Sequence, residues 1–266
     1  MRRLIYTEKR TWIFLLIGLF VLASINLFAL PSNSAKEYSA GVKNSDKEIV
    51  ILLHGALKSS YSMHRLEKAF RKEGYQTFNW DYDSNDFTVI HNAALLDSII
   101  QSRGYEQFKM HFVTHSMGAI IVRYYLEKYE PKNLGRLVMI APPNQGSHLA
   151  TSLQDFPPFK WIYGKTINYL ITGEDAFAPN AGIPPCEFGI IAGGTGGKYG
   201  FTWYLPGDDD GTISVEQTHL AGASDFIILH HIHSVLPLKE DTIEQTTYFI
   251  KYGRFFREQL TDAENQ

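Results

Sequence analysis

Ser116 sits in Thr114-His115-Ser116-Met117-Gly118, between an apolar run from Phe108 to Val113 and an amphipathic run from Met117 to Tyr129. A serine hydroxyl is a weak nucleophile at neutral pH, and a sharp strand-to-helix turn helps by projecting its oxygen beyond the sheet toward a base. The usual form is Gly-x-Ser-x-Gly, with small residues two before and two after the serine so that strand and helix pack closely. Gly118 keeps the second position and Thr114 fills the first. Taken alone, the pattern suits an incidental serine as well as a nucleophile, so partners for it have to be found.

Where a serine occupies such a turn, an acid and then a histidine follow it along the chain. Asp208, Asp209 and Asp210 stand just before Gly211. Asp210, beside the glycine, is the first candidate for the acid, with Asp208 and Asp209 as alternatives; three carboxylates also suit a solvated loop or a calcium site. The stretch before them holds Gly193, Gly194, Gly196 and Gly197 without the Lys-Ser/Thr pair of a phosphate loop, and reads as a flexible crossing. For the base, His230, His231 and His233 follow the run Asp225 to Leu229, and His233, opening the loop into the last helix, is preferred. His64, His91, His111 and His219 read as surface or core residues, and His115 as one that shapes the pocket or packs beneath the turn.

Attack on a carbonyl creates an oxyanion that two backbone N–H groups must meet. Met117, directly after the serine, supplies one, and the loop His54-Gly55-Ala56-Leu57 offers Ala56 or Leu57 for the other. Gly55 lets the backbone come close. Cys186 lies in the proline-stiffened Ile183-Pro184-Pro185-Cys186 and is not read as a nucleophile; as the single cysteine it forms no intrachain disulfide.

The elements that must hold these residues alternate. Glu48 to Leu53 is an aliphatic run suited to a strand buried on both faces. A helix over Ser62 to Glu73 follows, stopped by Gly74, then a strand at Tyr75 to Trp80 and a helix at Val89 to Ile100. Strand Phe108 to Val113, helix Met117 to Tyr129, and strand Leu137 to Ala141 continue the rhythm, and strands at Phe188 to Ala192 and Asp225 to Leu229 and a helix at Asp241 to Phe255 close it. Parallel neighbours need crossover helices, so this order predicts a mostly parallel central sheet with helices on both faces. Ligands bind beyond the carboxyl ends of such strands, where Ser116 and His54-Gly55 fall. Between 142 and 187 the rhythm breaks into a proline-rich and aromatic insertion with a short helical piece near Ile167 to Ile171, and it reads as a lid or acyl-binding cap, with ordinary core-covering structure as the rival.

With 44% hydrophobic residues among 266, the chain can bury one large core. A net charge of -3 gives no electrostatic footprint for nucleic acid. The N-terminus differs. Trp12 to Leu30 is nineteen residues without a charge, after Arg2, Arg3, Lys9 and Arg10, which is about the length that crosses ~30 Å of hydrocarbon. Residues 1–11 are therefore expected in the cytoplasm, 12–30 as a transmembrane anchor, 31–47 as a linker, and 48–266 as one domain outside the cytoplasm, periplasmic in a Gram-negative cell. A cleaved signal segment, which would release the domain, and a buried core helix are the rivals.

These stretches together resemble the α/β-hydrolase superfamily, and within it the bacterial lipase-like and esterase-like branch. The resemblance rests on Ile51-Leu52-Leu53-His54-Gly55, Val113-Thr114-His115-Ser116-Met117-Gly118, Ala141-Pro142-Pro143-Asn144-Gln145-Gly146-Ser147, Asp210-Gly211-Thr212-Ile213-Ser214-Val215 and His233, spread over Glu48 to Phe256. It implies an α/β-hydrolase fold with a Ser116-His233-Asp210 triad acting on an ester or related acyl compound, without metal or organic cofactor. Acyl transfer or thioester cleavage on the same triad is the second expectation, and a non-catalytic binding protein of this fold the third. Thr114 departs from the commonest glycine.

Overall fold

The computed structural model describes residues 47–257. The apolar stretch Trp12 to Leu30 and its flanks lie outside them, and among the described residues no helix is long and apolar enough to cross a membrane.

Six strands form one sheet: β1 (Glu48–Leu53), β2 (Gln76–Trp80), β3 (Lys109–His115), β4 (Leu134–Ile140), β5 (Phe188–Gly193) and β6 (Asp225–Leu229). Their order is β2-β1-β3-β4-β5-β6, and every pairing is parallel. Five residues of β1 are completely buried, which explains why it reads as an unbroken aliphatic run.

Side chains alternate between the faces of a strand. Val50, Leu52, Val113 and Val138 enter a core with Leu66 and Phe70 of α1 (His64–Lys72) and Phe249 and Ile250 of α7 (Glu240–Tyr252). Their neighbours turn the other way: Phe112 lies against Tyr125 of α3 (Met117–Tyr129), which packs with α2 (Val89–Ser102). Helices thus cover both faces. The insertion holds α4 (His148–Leu153), α5 (Pro157–Tyr163) and a 3-10 segment at Gly164–Tyr169, more helix than its proline content suggests, and α6 (Val215–Thr218) follows the acidic turn.

Some boundaries move. The first helix begins at His64 behind a 3-10 turn at Ser60–Met63, β3 continues through His115, and β4 starts at Leu134. The last helix ends at Tyr252, because Gly253 takes the left-handed conformation (φ 73°) and returns its N–H to Phe249 O at 2.8 Å. The glycine-rich stretch after β5 is no loose crossing. The Asp208 carboxylate accepts N–H bonds from Thr195 at 2.8 Å and Gly196 at 2.9 Å, and a Cβ at Gly194 would collide with it.

Candidate active site

Ser116 stands between β3 and α3 with φ 52° and ψ −123°, a conformation costing a non-glycine residue about 1–3 kcal/mol. Its N–H is tied to Ile140 O of β4 at 2.9 Å, and its carbonyl accepts from Ala119 N–H at 3.0 Å. Gly118 makes the turn possible, since a Cβ there would meet the His54 and Leu53 carbonyls at 2.8 and 2.9 Å. Thr114 is fully buried within β3, its hydroxyl directed to Val138 O at 3.4 Å, so the larger residue is absorbed on the β4 side.

The structure brings three of the expected residues into line. His233 Nε2 lies 3.0 Å from Ser116 Oγ, and His233 Nδ1 lies 2.7 Å from Asp210 Oδ2. Asp210 reaches the imidazole from the loop after β5, and His233 from the loop after β6. The second Asp210 oxygen accepts N–H bonds from Thr212 at 2.9 Å and Ile213 at 2.8 Å, which fixes the carboxylate plane, and His233 N–H returns to Asp210 O at 2.8 Å. The carboxyl side chain is completely buried and the imidazole 12% exposed. With a carboxylate on Nδ1–H, Nε2 presents its lone pair to the serine hydroxyl, an arrangement able to take that proton.

The neighbouring acids are occupied elsewhere. Asp208 closes the glycine stretch, and Asp209 Oδ1 accepts from Gly211 N–H at 2.7 Å and Thr202 Oγ1–H at 2.9 Å. Among the described residues no group of three or more His, Cys, Asp and Glu side chains is placed to hold a metal ion. His231 pairs with Asp241 at 2.8 Å, and His230 lies beside Gly196.

The loop after β1 comes close to the serine as expected: a Cβ at Gly55 would stand 3.0 Å from Ser116 Cβ. One of its two candidate donors is already used. Leu57, at φ 59°, gives its N–H to Ser84 Oγ at 3.0 Å, so the expectation for Leu57 is corrected and Ala56 remains the candidate of the pair. Met117 N–H heads α3, where a helix has no internal acceptor for it.

His54 is buried, its Nδ1–H on Gly55 O at 2.8 Å and its Nε2 toward Tyr82 N–H at 3.4 Å. Burial lowers its pKa below 6.5, so it supports the loop as a neutral ring stacked on Tyr82, whose hydroxyl donates to His54 O at 2.6 Å.

A family model described as the alpha/beta hydrolase fold matches residues 48–168. The chain has the α/β-hydrolase fold. In this hydrolase fold the matched span carries the Gly55 loop and the Ser116 turn, while Asp210 and His233 lie beyond it. The protein is similar to a Bacillus licheniformis lipase in its mature form, with a TM-score of 0.61 at 18% identity over 82% of this chain and 96% of that one. A Listeria innocua gene product gives 0.53 at 18% identity, covering 80% and 96%. A Legionella pneumophila phospholipase gives 0.52 at 20% identity, covering 65% and 44%. At such identities the likeness is one of fold. The mesoderm-specific transcript protein of Mus musculus is 24% identical over 110 residues, 38% of this chain, and the match spans 32% of that relative's length.

Several residues that build the site of this hydrolase fold carry no sequence signal of their own. Tyr82 and Ser84 hold the Gly55 loop from the end of β2. Arg123 of α3, almost fully buried, donates to Ala178 O and Gly182 O at 2.8 Å and to Asn144 Oδ1 at 3.1 Å, gripping both ends of the insertion. Their place at strand ends was the one available hint for Tyr82 and Ser84; an arginine in an amphipathic helix reads as solvent-facing.

Proposed function

We propose that this protein is a serine hydrolase that cleaves a carboxylic ester through an acyl-enzyme on Ser116. The observation that carries the proposal is the continuous hydrogen-bonded chain from Asp210 through His233 to Ser116, ending on a serine in a strained turn.

Ser116 Oγ attacks the ester carbonyl carbon while His233 Nε2 takes the hydroxyl proton. The carbonyl electron pair moves to oxygen, and the oxyanion is met by the N–H groups of Met117 and Ala56. As the pair returns, the C–O bond to the alcohol breaks and His233 gives its proton to the departing oxygen. Water repeats the sequence on the acyl-enzyme and releases the acid. Asp210 holds the imidazole in the productive tautomer and offsets its positive charge.

The substrate class is an amphiphilic or lipidic ester. Exposed aromatic residues stand on connections that leave the carboxyl ends of β4 and β5, the sheet edge that bears Ser116: Phe156 and Trp161 on the insertion, Tyr199, Phe201 and Trp203 before the acidic turn. Trp161 is 86% exposed and Trp203 76%, large apolar area for a monomer to leave in water. The insertion 142–187 serves as the lid over the acyl chain, and Trp12 to Leu30 anchors the domain to a membrane from the outer side.

A fluorophosphonate probe tests the reaction: the wild-type chain is labelled at Ser116 and hydrolyses p-nitrophenyl esters, and Ser116→Ala loses both. Labelling that survives Ser116→Ala overturns the assignment. A series of esters of rising acyl length tests the class, with kcat/KM rising toward longer chains as the expected result.

A further inference from the structure

We propose that His115 is a positioning residue for the general base, its Nε2–H holding the His233 main-chain carbonyl and thereby the imidazole that faces Ser116. The inference rests on the serine-hydrolase reading above.

His115 ends β3, one residue before the serine, with its ring only 1% exposed and its centroid 4.9 Å from that of His233. Its Nε2 lies 3.1 Å from His233 O. A carbonyl oxygen only accepts, so Nε2 carries the proton and Nδ1 is bare. Nδ1 has no hydrogen-bond partner among the described residues, and it faces Gly55, where a Cβ would stand 2.9 Å away. One ring therefore touches the loop that bears the base and the loop that bears Ala56.

A buried acceptor with no partner is a cost to the fold that an apolar side chain of similar size would not carry. Packing alone does not account for the ring, whereas a donor aimed at the base does. His233 opens a short 3-10 segment, His233–Leu238, and its main chain is fixed by its N–H on Asp210 O and by the His115 bond on its carbonyl. Releasing the second bond leaves the peptide free to rotate, and the imidazole with it. Burial, reinforced by the nearby His233 and Lys58, holds the His115 pKa well below 6.5, so no second cation opposes the imidazolium that His233 becomes during attack.

The test compares the full-length wild type with His115→Met and His115→Gln on a short, soluble p-nitrophenyl ester. His115→Met removes the donor and fills the space; its kcat should fall about 10- to 100-fold, since small misplacements cost that much, with KM changed by less than about twofold. Its melting midpoint should hold or rise, and the downfield proton of His233 Nδ1–H should broaden. His115→Gln, whose amide N–H reaches the same carbonyl, should restore most of kcat. Wild-type kcat in His115→Met overturns the proposal, and so does a loss of kcat that tracks the melting midpoint across both variants. A wild-type chain with neither turnover nor fluorophosphonate labelling overturns the hydrolase reading itself, and this inference with it.

Discussion

At Ser116 the φ of 52° is imposed by the two elements the residue joins: β4 holds its N–H through Ile140 O, and α3 begins on its carbonyl. The strain is local and directed, leaving Oγ 3.0 Å from His233 Nε2. In the proposed mechanism Asp210 acts one step away, through His233. Replacing it with Asn puts an N–H where Nδ1–H must be accepted and favours the wrong tautomer, so Asp210→Asn should lower kcat by about 10⁴ with labelling slowed in parallel. Retention of kcat within about tenfold would remove Asp210 from the acid role. Ser116, Asp210 and His233 are readable in sequence as candidates for nucleophile, acid and base because each role needs a particular side-chain type in a particular chain order. Which N–H of the loop after β1 is already bonded is not readable to the residue. Whether Leu57 N–H is free depends on Ser84, twenty-seven residues further on, and backbone groups carry no letter in the sequence.

Between elements, the decisive contact is the one by which α3 holds the insertion. Arg123 makes charged hydrogen bonds to carbonyls at both roots of the segment, and Asn144, one of its partners, donates from Nδ2 to Thr218 O at 2.7 Å. Burial draws the guanidinium pKa down to about 10, so it stays charged at neutral pH. Arg123→Ala should strip these acceptors at once and destabilise the protein by about 3 kcal/mol or more. Limited proteolysis should then cut within 144–182 well before the rest of the domain; an unchanged cleavage pattern would show that the insertion is held otherwise. The strands and helices around it were legible from hydrophobic period, with β6 and α3 read to the residue. Their neighbours shifted where a hydrogen bond to another element settled the end, as when β3 runs on to His115 by pairing with Ile140 of β4.

For the whole molecule, three histidines are buried in neutral form. Burial lowers the pKa of His54 and His115 below 6.5, and that of His111 to about 4 against the partial opposition of Glu48. Above 6.5 both folded and unfolded chains carry these rings uncharged, so their contribution to stability is complete there. As pH falls below 6.5 the unfolded chain takes up protons that the folded one refuses, and each such histidine removes about 1.4 kcal/mol per pH unit until its folded pKa is reached. Thermal melting followed from pH 7 to pH 4 should therefore show a steep fall below 6.5, shallower in a His111→Gln variant; a flat profile would contradict neutral burial. The sequence by itself determined the strand-helix alternation, and with it the parallel sheet and the edge where Ser116, Asp210 and His233 meet, because hydrophobic period and chain order are local properties of the letters. Only the tertiary structure decided that Leu57 N–H is taken by Ser84, that Asp210 rather than its neighbours reaches His233, and that His115 meets the His233 carbonyl while Arg123 bonds both ends of the insertion. Those outcomes depend on which donor meets which acceptor across distant loops, and that is fixed by packing.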